Sequence, residues 1–433
     1  MSEASGDWAL HNEQVRTARS RWGVGPIVPA FRGVSTVMGS LRRILHVDLD
    51  AFFCSVEELH QPSLAGTAFV VAGRPDQRGV VASASYPARA FGIRSAMPTA
   101  RAVRLCPALT IVPPRHGVYG ETSERVMAIL REAAPVVEQV SIDEAFLDVS
   151  DDPRPAREVA ALLQARVRSE LHLPTSWGVA GNRLVAKIAT EVGKPNGLVV
   201  VPPGEEAAFL APLPAGMLWG VGPKTRLRLE PLGVRTIGDL AALPASSLKQ
   251  ALGDHGLELA SRARGEDSQP VLDTYEPKSM SAETTFAHDV RDGRELRRTL
   301  LGLAEEVGHR LRQAGVAGST VRLKLRWSDF TTLTRQTQLP QATDQEKEIC
   351  QAAERLLAAT WSAGRPVRLI GVAVSGLGAP MRQLNLFDRG WEEDARLMQA
   401  VDAIRERFGQ QALQRAATLK ANRRRGERGG GER

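Results

Sequence analysis

The sequence predicts an α+β protein with several domains. Apolar β-type runs alternate irregularly with helical stretches up to residue 201, and short helices punctuated by Gly and Pro follow at 202–267. A polar, proline-containing stretch at 268–277 then marks a linker. With 433 residues, of which 43% are hydrophobic, the chain is long enough for about two to four domains.

The individual elements follow from local patterns. Residues 1–40 are rich in Gly, Pro and Arg without a sustained period, so we expect a loosely ordered extension there. Compact β-type runs predict strands at 43–50, 69–73, 79–83, 140–149, 320–327 and 367–376. Helical periodicity predicts helices at 52–59, 121–133, 155–171, 296–313 and 391–408. The elements beyond the linker imply a separate small α/β domain.

The charge balance favours a polyanionic partner. The chain carries 56 Lys and Arg residues against 49 Asp and Glu residues, which gives a net charge of +7 and a pI near 9.6. Nucleic acid is the leading candidate for such a partner. An excess of this size could also serve solubility alone.

The cysteines and the hydropathy exclude several classes of protein. Cys54, Cys106 and Cys350 are far apart and lack Cys or His neighbours at metal-ligand spacing, so neither a disulfide framework nor a zinc site is predicted. The sequence has no apolar run of the roughly 18 residues that a membrane span needs, and no signal-peptide pattern. We expect a cytoplasmic protein without a membrane segment.

Acidic side chains interrupt two of the predicted strands. Asp48 and Asp50 end the first strand, and Asp143 and Glu144 stand inside the run 140–149. Charges in apolar β-segments are costly unless a partner compensates them, and carboxylate oxygens are ligands that Mg²⁺ prefers. The alternative is that each pair is merely solvated or salt-bridged. Adjacent residues of a flat strand point to opposite faces, so Asp143 and Glu144 can serve one site only near a turn or bulge.

Two of these runs resemble the motifs of a known family. VDLDAFF at 47–53 and SIDEAFLD at 141–148 resemble the two metal-binding motifs of the Y-family DNA polymerases, and the resemblance covers residues 41–380. It implies a low-fidelity, template-directed DNA polymerase for translesion synthesis, with a right-hand fold. The implied parts are a palm at 41–51 and 115–201, fingers at 52–114, a helical thumb at 202–267, a little finger at 278–380 and a tail at 381–433.

The resemblance also implies the metal site. Asp48 and Asp143 would bridge two Mg²⁺ ions, and Glu144 would hold the ion that activates the primer 3′-hydroxyl. The backbone carbonyl of Leu49 would add a ligand. Asp50 is acidic and nearby, but it is not a principal ligand in the family and is left out of the set.

The nucleotide pocket is implied in the same way. Phe53 falls at the steric-gate position, where an aromatic ring excludes a ribose 2′-hydroxyl, with Phe52 beside it in the nucleotide site; both could instead be core residues at a helix start. The predicted triphosphate ligands share hydroxyl or cationic groups. They are Ser83, Tyr86, Arg89 and Lys194. A roof of small residues over the nascent base pair is expected at Val80, Ala82 and Ala96.

Two further segments carry predicted DNA contacts. MLWGVGPKT at 217–225 resembles a helix-hairpin-helix loop, in which Gly220, Gly222 and Lys224 would bind a DNA phosphate. A P-loop is the competing interpretation, but Pro223 breaks its pattern; an ordinary glycine turn is another. Basic residues at a spacing of two are predicted to share one face of a strand that contacts phosphates. They are Arg322, Lys324 and Arg326.

The tail contains a candidate partner motif. QLNLF resembles the clamp-binding peptide of bacterial polymerases, with Gln383, Leu384, Leu386 and Phe387 as the contact residues. About 46 residues follow it. The expected partners are therefore primer-template DNA, dNTPs and a sliding clamp, and the chain is expected to be a monomer.

Two other classes of protein remain as alternatives. A non-catalytic DNA-binding relative could keep the fold for scaffolding, but such proteins lose the metal acids that this chain retains. A nucleotide cyclase could share the palm, but it would not require the hairpin loop, the little finger or the clamp peptide.

Overall fold

The computed structural model describes residues 42–273, 276–380, 389–409, 412–413 and 415–416. The described chain forms an N-terminal unit up to residue 273 and a C-terminal unit from 276 onward, with residues 76–78 grouped with the second. The predicted extension at 1–40, the candidate clamp peptide and the basic end of the chain lie outside the described residues.

The N-terminal unit mixes strands and helices, as the sequence predicts. Its strands are β1 (Ile44–Leu49), β2 (Phe69–Ala72), β3 (Val81–Ala84), β4 (Thr110–Val112), β5 (Val136–Gln139), β6 (Glu144–Asp148), β7 (Thr175–Ala180) and β8 (Leu198–Val200). Its α-helices are α1 (Phe52–His60), α2 (Tyr86–Ala90), α3 (Thr99–Leu105), α4 (His116–Ala133), α5 (Ala156–Leu171), α6 (Arg183–Gly193), α7 (Glu206–Leu210), α8 (Pro223–Leu229), α9 (Ile237–Ala242), α10 (Ala245–Leu252) and α11 (Asp254–Ala263).

Strand β1 is the centre of a five-stranded sheet with the order β5-β6-β1-β7-β8. It pairs antiparallel with both β6 and β7, and Asp48 stands opposite Glu144. Alternate residues of β1 enter two apolar cores: Leu45 and Val47 pack with α4 and α5, and Ile44 packs with α6 and the helices beyond residue 205. Both faces of the sheet are covered, which explains why β1 is an almost continuous apolar run.

The predicted strand at 140–149 is wrong in its first half. Strand β6 begins only at Glu144, and residues 140–143 form the turn that joins it to β5. The backbone N–H groups of Val140 and Ser141 both donate to the Glu144 carbonyl, and the Ser141 hydroxyl bonds Asp143 Oδ1 at 2.6 Å. Ser and Asp side chains stabilise such turns against an extended ladder. The turn satisfies the geometric requirement for Asp143 and Glu144 to reach one site.

A second, three-stranded sheet is formed by β2, β3 and β4. Strand β2 lies in its middle, antiparallel to β3 and parallel to β4. The predicted strand at 79–83 is displaced, since β3 occupies Val81–Ala84. Val70, Ala72 and Ile93 belong to the apolar core of this layer.

The C-terminal unit is an antiparallel sheet covered by helices. Its elements are β9 (Ser279–Val290), α12 (Gly293–Gln313), β10 (Ala317–Trp327), β11 (Thr332–Thr343), α13 (Glu346–Thr360), β12 (Val367–Gly378) and α14 (Arg389–Phe408). The strand order is β11-β10-β12-β9. Leu300 and Val307 of α12, Ile349 of α13 and Val321 and Leu323 of β10 meet in one core. This is the small α/β domain that the sequence predicts.

Helix α14 packs back on the C-terminal unit through ion pairs. Asp402 accepts from the guanidinium of Arg312 at 2.6 Å and lies 2.9 Å from His309 Nδ1. Arg405 and Arg415 both contact Glu305. Asp402, Arg312 and His309 are largely withdrawn from solvent, so the loss of one partner would leave a buried group without its compensating contact. No helix within the described part of the chain is long and apolar enough to span a membrane.

Candidate active site

Three acidic residues lie where β1 ends and β6 begins. Asp48 and Glu144 are direct cross-strand partners, so their side chains leave the same face of the sheet. The backbone N–H of Leu49 donates to the Asp143 carbonyl at 2.9 Å, which ties the turn at 140–143 to the end of β1. Asp48, Leu49 and Asp143 all line a cavity of about 210 Å³. The structure thus brings Asp48 and Asp143 to one cavity, and Glu144 stands beside Asp48 across the strands.

The backbone changes direction between the acids and the helix that follows. Ala51 has φ +46°, a left-handed conformation that is unusual for a residue with a Cβ. This turn leads from β1 directly into α1, so that Asp48 and Phe53 line the same cavity. Strained backbone of this kind is typical of functional sites.

Lysine side chains compensate the acids. Lys194 Nζ lies 2.8 Å from Asp48 Oδ2, and Lys187 makes an ion pair with Glu144 Oε1. Burial raises the pKa of Asp48 to about 6, against the opposing effect of Lys194. A carboxylate with a raised pKa is one whose charged form lacks sufficient compensation, and a bound cation would supply it.

The donor atoms at this site are of the kind that a divalent cation binds, but their side chains are not grouped around a single point in this structure. Among the described residues, no three His, Cys, Asp or Glu side chains form a group that could hold a metal ion. Asp48 and Asp143 nevertheless share a cavity wall, and their hard oxygen donors are those that Mg²⁺ takes, usually one or two carboxylates together with substrate phosphates. The ammonium groups of Lys194 and Lys187 pair with Asp48 and Glu144, so each of these acids has a cationic partner at the position where a metal ion could bind.

Asp50 has a structural role rather than a place in the cavity wall. It is 1% exposed and accepts hydrogen bonds from the Ser176 hydroxyl at 2.9 Å, the Tyr86 hydroxyl at 3.1 Å and the backbone N–H of Asn196 at 2.7 Å. These donors come from β7, α2 and the loop after α6. Asp50 therefore fixes three segments around the end of β1, which agrees with its omission from the predicted ligands.

The predicted sugar gate rests on a second aromatic ring. Phe53 lines the cavity and stacks on Tyr119 of α4, with ring centroids 4.1 Å apart and planes 12° apart. The Tyr119 hydroxyl donates to Glu57 Oε1 at 2.5 Å, and Arg115 also donates to Glu57. Phe52 is 2% exposed and packs in the core, although it reaches the cavity wall as well. The ring of Phe53 is therefore held in one orientation from behind.

The predicted triphosphate ligands do not all reach the cavity. Ser83, Arg89 and Lys194 line it, and the guanidinium of Arg89 also donates to the Ala84 carbonyl at 3.0 Å. Tyr86 is absent from its lining among the described residues, because its hydroxyl is directed at Asp50. The ring of Tyr86 instead lies 4.8 Å from the Arg89 guanidinium. Tyr86 thus contacts a predicted phosphate ligand and Asp50.

The small residues predicted for the roof lie at the surface. Val80, Ala82 and Ala96 are all exposed, and Ala82 lines the cavity. Ala96 has φ +66°, and its N–H donates to the Val81 carbonyl. Of the three, Ala82 is thus the residue that contacts the cavity, while Val80 and Ala96 do not line it.

The predicted hairpin loop lies beside the acids. Residues 216–222 and Glu144, Lys187 and His46 line a second cavity of about 360 Å³ within the N-terminal unit. Gly220 has φ +105°, and Gly222 is the N-cap of α8, with Lys224 exposed on its first turn. A 3₁₀ turn precedes the loop, so the strand that a P-loop requires is missing there.

The basic residues of β10 share one face, as predicted. Val321, Leu323, Leu325 and Trp327 are buried, and the basic residues alternate with them. Arg322 contacts Gln336 at 3.0 Å, Lys324 pairs with Glu283 at 2.7 Å and Arg326 contacts Thr332 at 2.9 Å. The three side chains thus line the outer face of the C-terminal sheet, where Arg322 and Arg326 contact β11 and Lys324 reaches Glu283 of β9.

Sequence patterns missed several residues that support this site. Tyr119 and Glu57 lie 62 positions apart in the chain, so no local signal connects them. Lys187 and Thr190 belong to an apolar helix pattern that does not single them out. His46 could have been found, because it stands two residues before Asp48 in a strand and must share its face.

Comparisons with known proteins place the chain in a family. Models described as the impB/mucB/samB family and its C-terminal domain match residues 47–191 and 277–386. The DNA polymerase IV of Dehalococcoides mccartyi (strain CBDB1) is 42% identical over 385 residues, 88% of this chain and 98% of that protein. The DNA polymerase IV of Alkalilimnicola ehrlichii is 44% identical over 355 residues, 80% of this chain and all (100%) of that protein.

A solved structure agrees with these relatives. The "Y-family DNA polymerase chimera Dbh-Dpo4(243-245)-Dbh" superposes with a TM-score of 0.70 at 27% identity, over 78% of this chain and 99% of that one. Sequence and fold thus agree over both the N-terminal and the C-terminal units. The chain belongs to the impB/mucB/samB family and is a Y-family DNA polymerase.

Proposed function

We propose that this chain extends primers across damaged templates with Asp48, Asp143 and Glu144 as its catalytic, metal-binding acids. As a member of its family, the chain is a DNA-directed DNA polymerase of the translesion type. One observation carries the assignment of residues: Asp48, Asp143 and Phe53 line a single cavity, and Glu144 stands opposite Asp48 across the strands.

Divalent metal ions serve polymerases of this family, and we assign two Mg²⁺ ions to this site. Asp48, Asp143 and the Leu49 carbonyl would hold them, with Glu144 as a further ligand near the primer end. When bound, two such ions activate an attacking hydroxyl and stabilise the leaving pyrophosphate. Lys194 Nζ lies 2.8 Å from Asp48 Oδ2. If a cation binds that carboxylate, the Lys194 ammonium group would be placed to pair with a phosphate of the incoming nucleotide.

The remaining walls of the cavity suit a deoxynucleotide. Phe53 would press on C2′ of the sugar, where a 2′-hydroxyl would lose water without gaining a partner. Ser83 and Arg89, which line the same cavity as Lys194, offer donors to phosphate oxygens. The exposed Ala82 and Ala96 leave the nascent base pair loosely covered, which suits altered bases better than a tight roof would.

Two regions would hold the DNA duplex. The glycine loop before α8 can approach a phosphate with its backbone N–H groups, with Lys224 beside it. The outer face of β10 offers Arg322, Lys324 and Arg326 to further phosphates. We accordingly propose the palm at 41–51 and 115–201, the fingers at 52–114, the thumb at 202–267 and the little finger at 278–380.

The peptide at 383–387 is proposed to bind a sliding clamp, and the chain is proposed to act as a cytoplasmic monomer. Two leucines and a phenylalanine in a polar segment would be buried by an apolar pocket of the partner. Replacing Leu384 and Phe387 by Ala should abolish stimulation by the clamp and spare synthesis without it. Equal stimulation of both proteins would refute this role.

Primer extension tests the central proposal. Wild type and an Asp143→Ala, Glu144→Ala double variant are compared on undamaged and lesion-bearing templates with Mg²⁺ and dNTPs. We expect extension by the wild type alone, with a rate loss of about 10³-fold or more in the variant because transition-state charge goes uncompensated. Binding of primer-template should remain in both. A double variant that extends normally would remove these acids from the reaction.

A further inference from the structure

The acid opposite Asp48 is held by a buried histidine. His46 is 1% exposed and belongs to β1, two residues before Asp48, so its ring leaves the sheet on the side of Asp48 and Glu144. Its Nε2 lies 2.7 Å from Glu144 Oε1. The ring also packs against Phe146, with centroids 4.5 Å apart. A buried imidazole thus contacts one oxygen of a proposed metal ligand.

A second contact fixes the other side of the imidazole ring. His46 Nδ1 lies 2.8 Å from Thr190 Oγ1, and Thr190 is itself 1% exposed. The Thr190 hydroxyl also lies near the carbonyl oxygens of Ala186 and His46, at 3.0 and 3.1 Å. Gly178 lets α6 approach this closely, because a Cβ there would lie 2.0 Å from the Ala186 carbonyl oxygen. The position of Thr190 is therefore set by the backbone packing of α6 on β7.

The direction of the hydrogen bonds follows from the chemistry of the groups. A carboxylate only accepts, so His46 Nε2 donates to Glu144 Oε1, and the contact between Nδ1 and Thr190 Oγ1 holds the opposite side of the ring. Burial between a strand and a helix leaves the ring little freedom to rotate.

We propose that His46, backed by Thr190, is a positioning residue that orients the Glu144 carboxylate for the metal ion at the primer end. The inference rests on the proposed function and adds residues outside its ligand set. Groups that hydrogen-bond a metal ligand fix its orientation, and their loss costs about 10- to 100-fold in metal affinity or activity. Lys187 also contacts Glu144 Oε1, but it is one-third exposed and its flexible chain orients a carboxylate less strictly.

The variants separate orientation from packing. His46→Phe keeps an aromatic ring against Phe146 and removes both nitrogens, whereas His46→Gln returns an N–H donor near the position of Nε2. Thr190→Val leaves the ring in place and removes only its support. His309→Gln is the matched control, because His309 is a buried histidine that contacts a carboxylate, Asp402, in the C-terminal unit.

The readouts are Mn²⁺ binding and steady-state kinetics. Mn²⁺ binding is measured by electron paramagnetic resonance on the complex with a dideoxy-terminated primer-template and dNTP, where no turnover occurs. We expect His46→Phe to weaken Mn²⁺ binding and to lower kcat by about 10- to 100-fold, with the KM for dNTP and the Kd for DNA unchanged. His46→Gln should recover part of both losses, Thr190→Val should show a smaller loss, and the control should match wild type.

Opposite results would overturn the inference. If folded His46→Phe binds Mn²⁺ and turns over like wild type, His46 does not orient Glu144. If His46→Phe does not fold, Thr190→Val decides, and wild-type Mn²⁺ binding by that variant would reject the role. Failure of the polymerase assignment itself is distinguishable, because then the wild type would not extend a primer.

Discussion

The acids at the end of β1 and the basic residues of β10 are two charged regions built on opposite principles. Asp48 and Glu144 are mostly buried, and each is held by at least one lysine or histidine. Arg322, Lys324 and Arg326 point outward; Arg322 and Arg326 contact neutral groups of β11, and Lys324 pairs with Glu283 of β9. Each buried charge needs a specific partner, because a buried charge without one is energetically costly. Exposed basic residues can instead bind DNA through their total positive charge.

The largest of these effects is expected for Phe53, which lines the same cavity as Asp48 and Asp143. Phe53→Ala removes the ring that Tyr119 supports, and we expect discrimination between dNTP and NTP to fall by about 100-fold. Single-nucleotide incorporation kinetics with both sugars measure this ratio. Tyr119→Phe is the control, because it keeps the stacked ring and loses only the hydroxyl that contacts Glu57. Unchanged discrimination in Phe53→Ala would place the sugar gate elsewhere.

The salt dependence of DNA binding by the exposed basic residues of β10 should change in proportion to the positive charge removed. Replacing Arg322, Lys324 and Arg326 together by Ala should make the slope of log Kobs against log salt shallower by about 3, since each phosphate contact contributes roughly 0.9. The turnover rate at saturating DNA should stay the same. Titration of labelled primer-template at several salt concentrations gives the slope. Arg294→Ala on α12 is the control, and an equal change in that variant would argue against a specific role for β10.

The smallest effect concerns a buried acid beside the active site. Glu57 is 3% exposed; burial opposes its charge, but hydrogen bonds from Arg115 and Tyr119 lower its pKa below the usual 4.5. A lowered pKa stabilises the fold above the unfolded-state value, and the contribution is lost as pH falls through the folded one. Glu57→Gln should therefore cost about 1–2 kcal/mol at neutral pH and progressively less below pH 4.5.

Thermal unfolding of both proteins across that pH range measures the difference for Glu57→Gln. A difference in the free energy of unfolding that stays constant down to the acid limit would contradict the assignment to the ionised carboxylate. In that case Glu57 would contribute to stability through packing alone. The need for a specific partner would then apply only to the buried catalytic acids.

Local sequence patterns were sufficient for the elements with strong periods. Strand β1 and helix α1 are within about a residue of prediction, since a continuous apolar run and an amphipathic stretch leave little ambiguity. The edge strands β9 and β11 were missed because their residues are mostly polar and exposed, so they contain no apolar run. The turn at 140–143 was missed because Val140 and Ile142 continue the apolar pattern of the strand.

The candidate site shows the same division. Asp48, Asp143, Glu144 and Phe53 follow from two compact motifs; Asp48, Asp143 and Phe53 line one cavity, and Glu144 stands opposite Asp48. The contacts that orient them come from distant segments: His46 and Glu144 are 98 positions apart, and His46 and Thr190 are 144 apart. Only folding brings such groups within hydrogen-bond distance, and no pattern within a motif encodes them.

Helix α14 has a practical consequence for deletion experiments. A chain cut after residue 387 would retain the proposed clamp peptide but lose Asp402 and Arg415, leaving Arg312, Glu305 and Glu346 with fewer partners inside the C-terminal unit. Weak DNA synthesis by such a truncated protein would then report a destabilised domain as readily as a missing regulatory segment. Point variants within 383–387 keep the docked helix and separate the two causes.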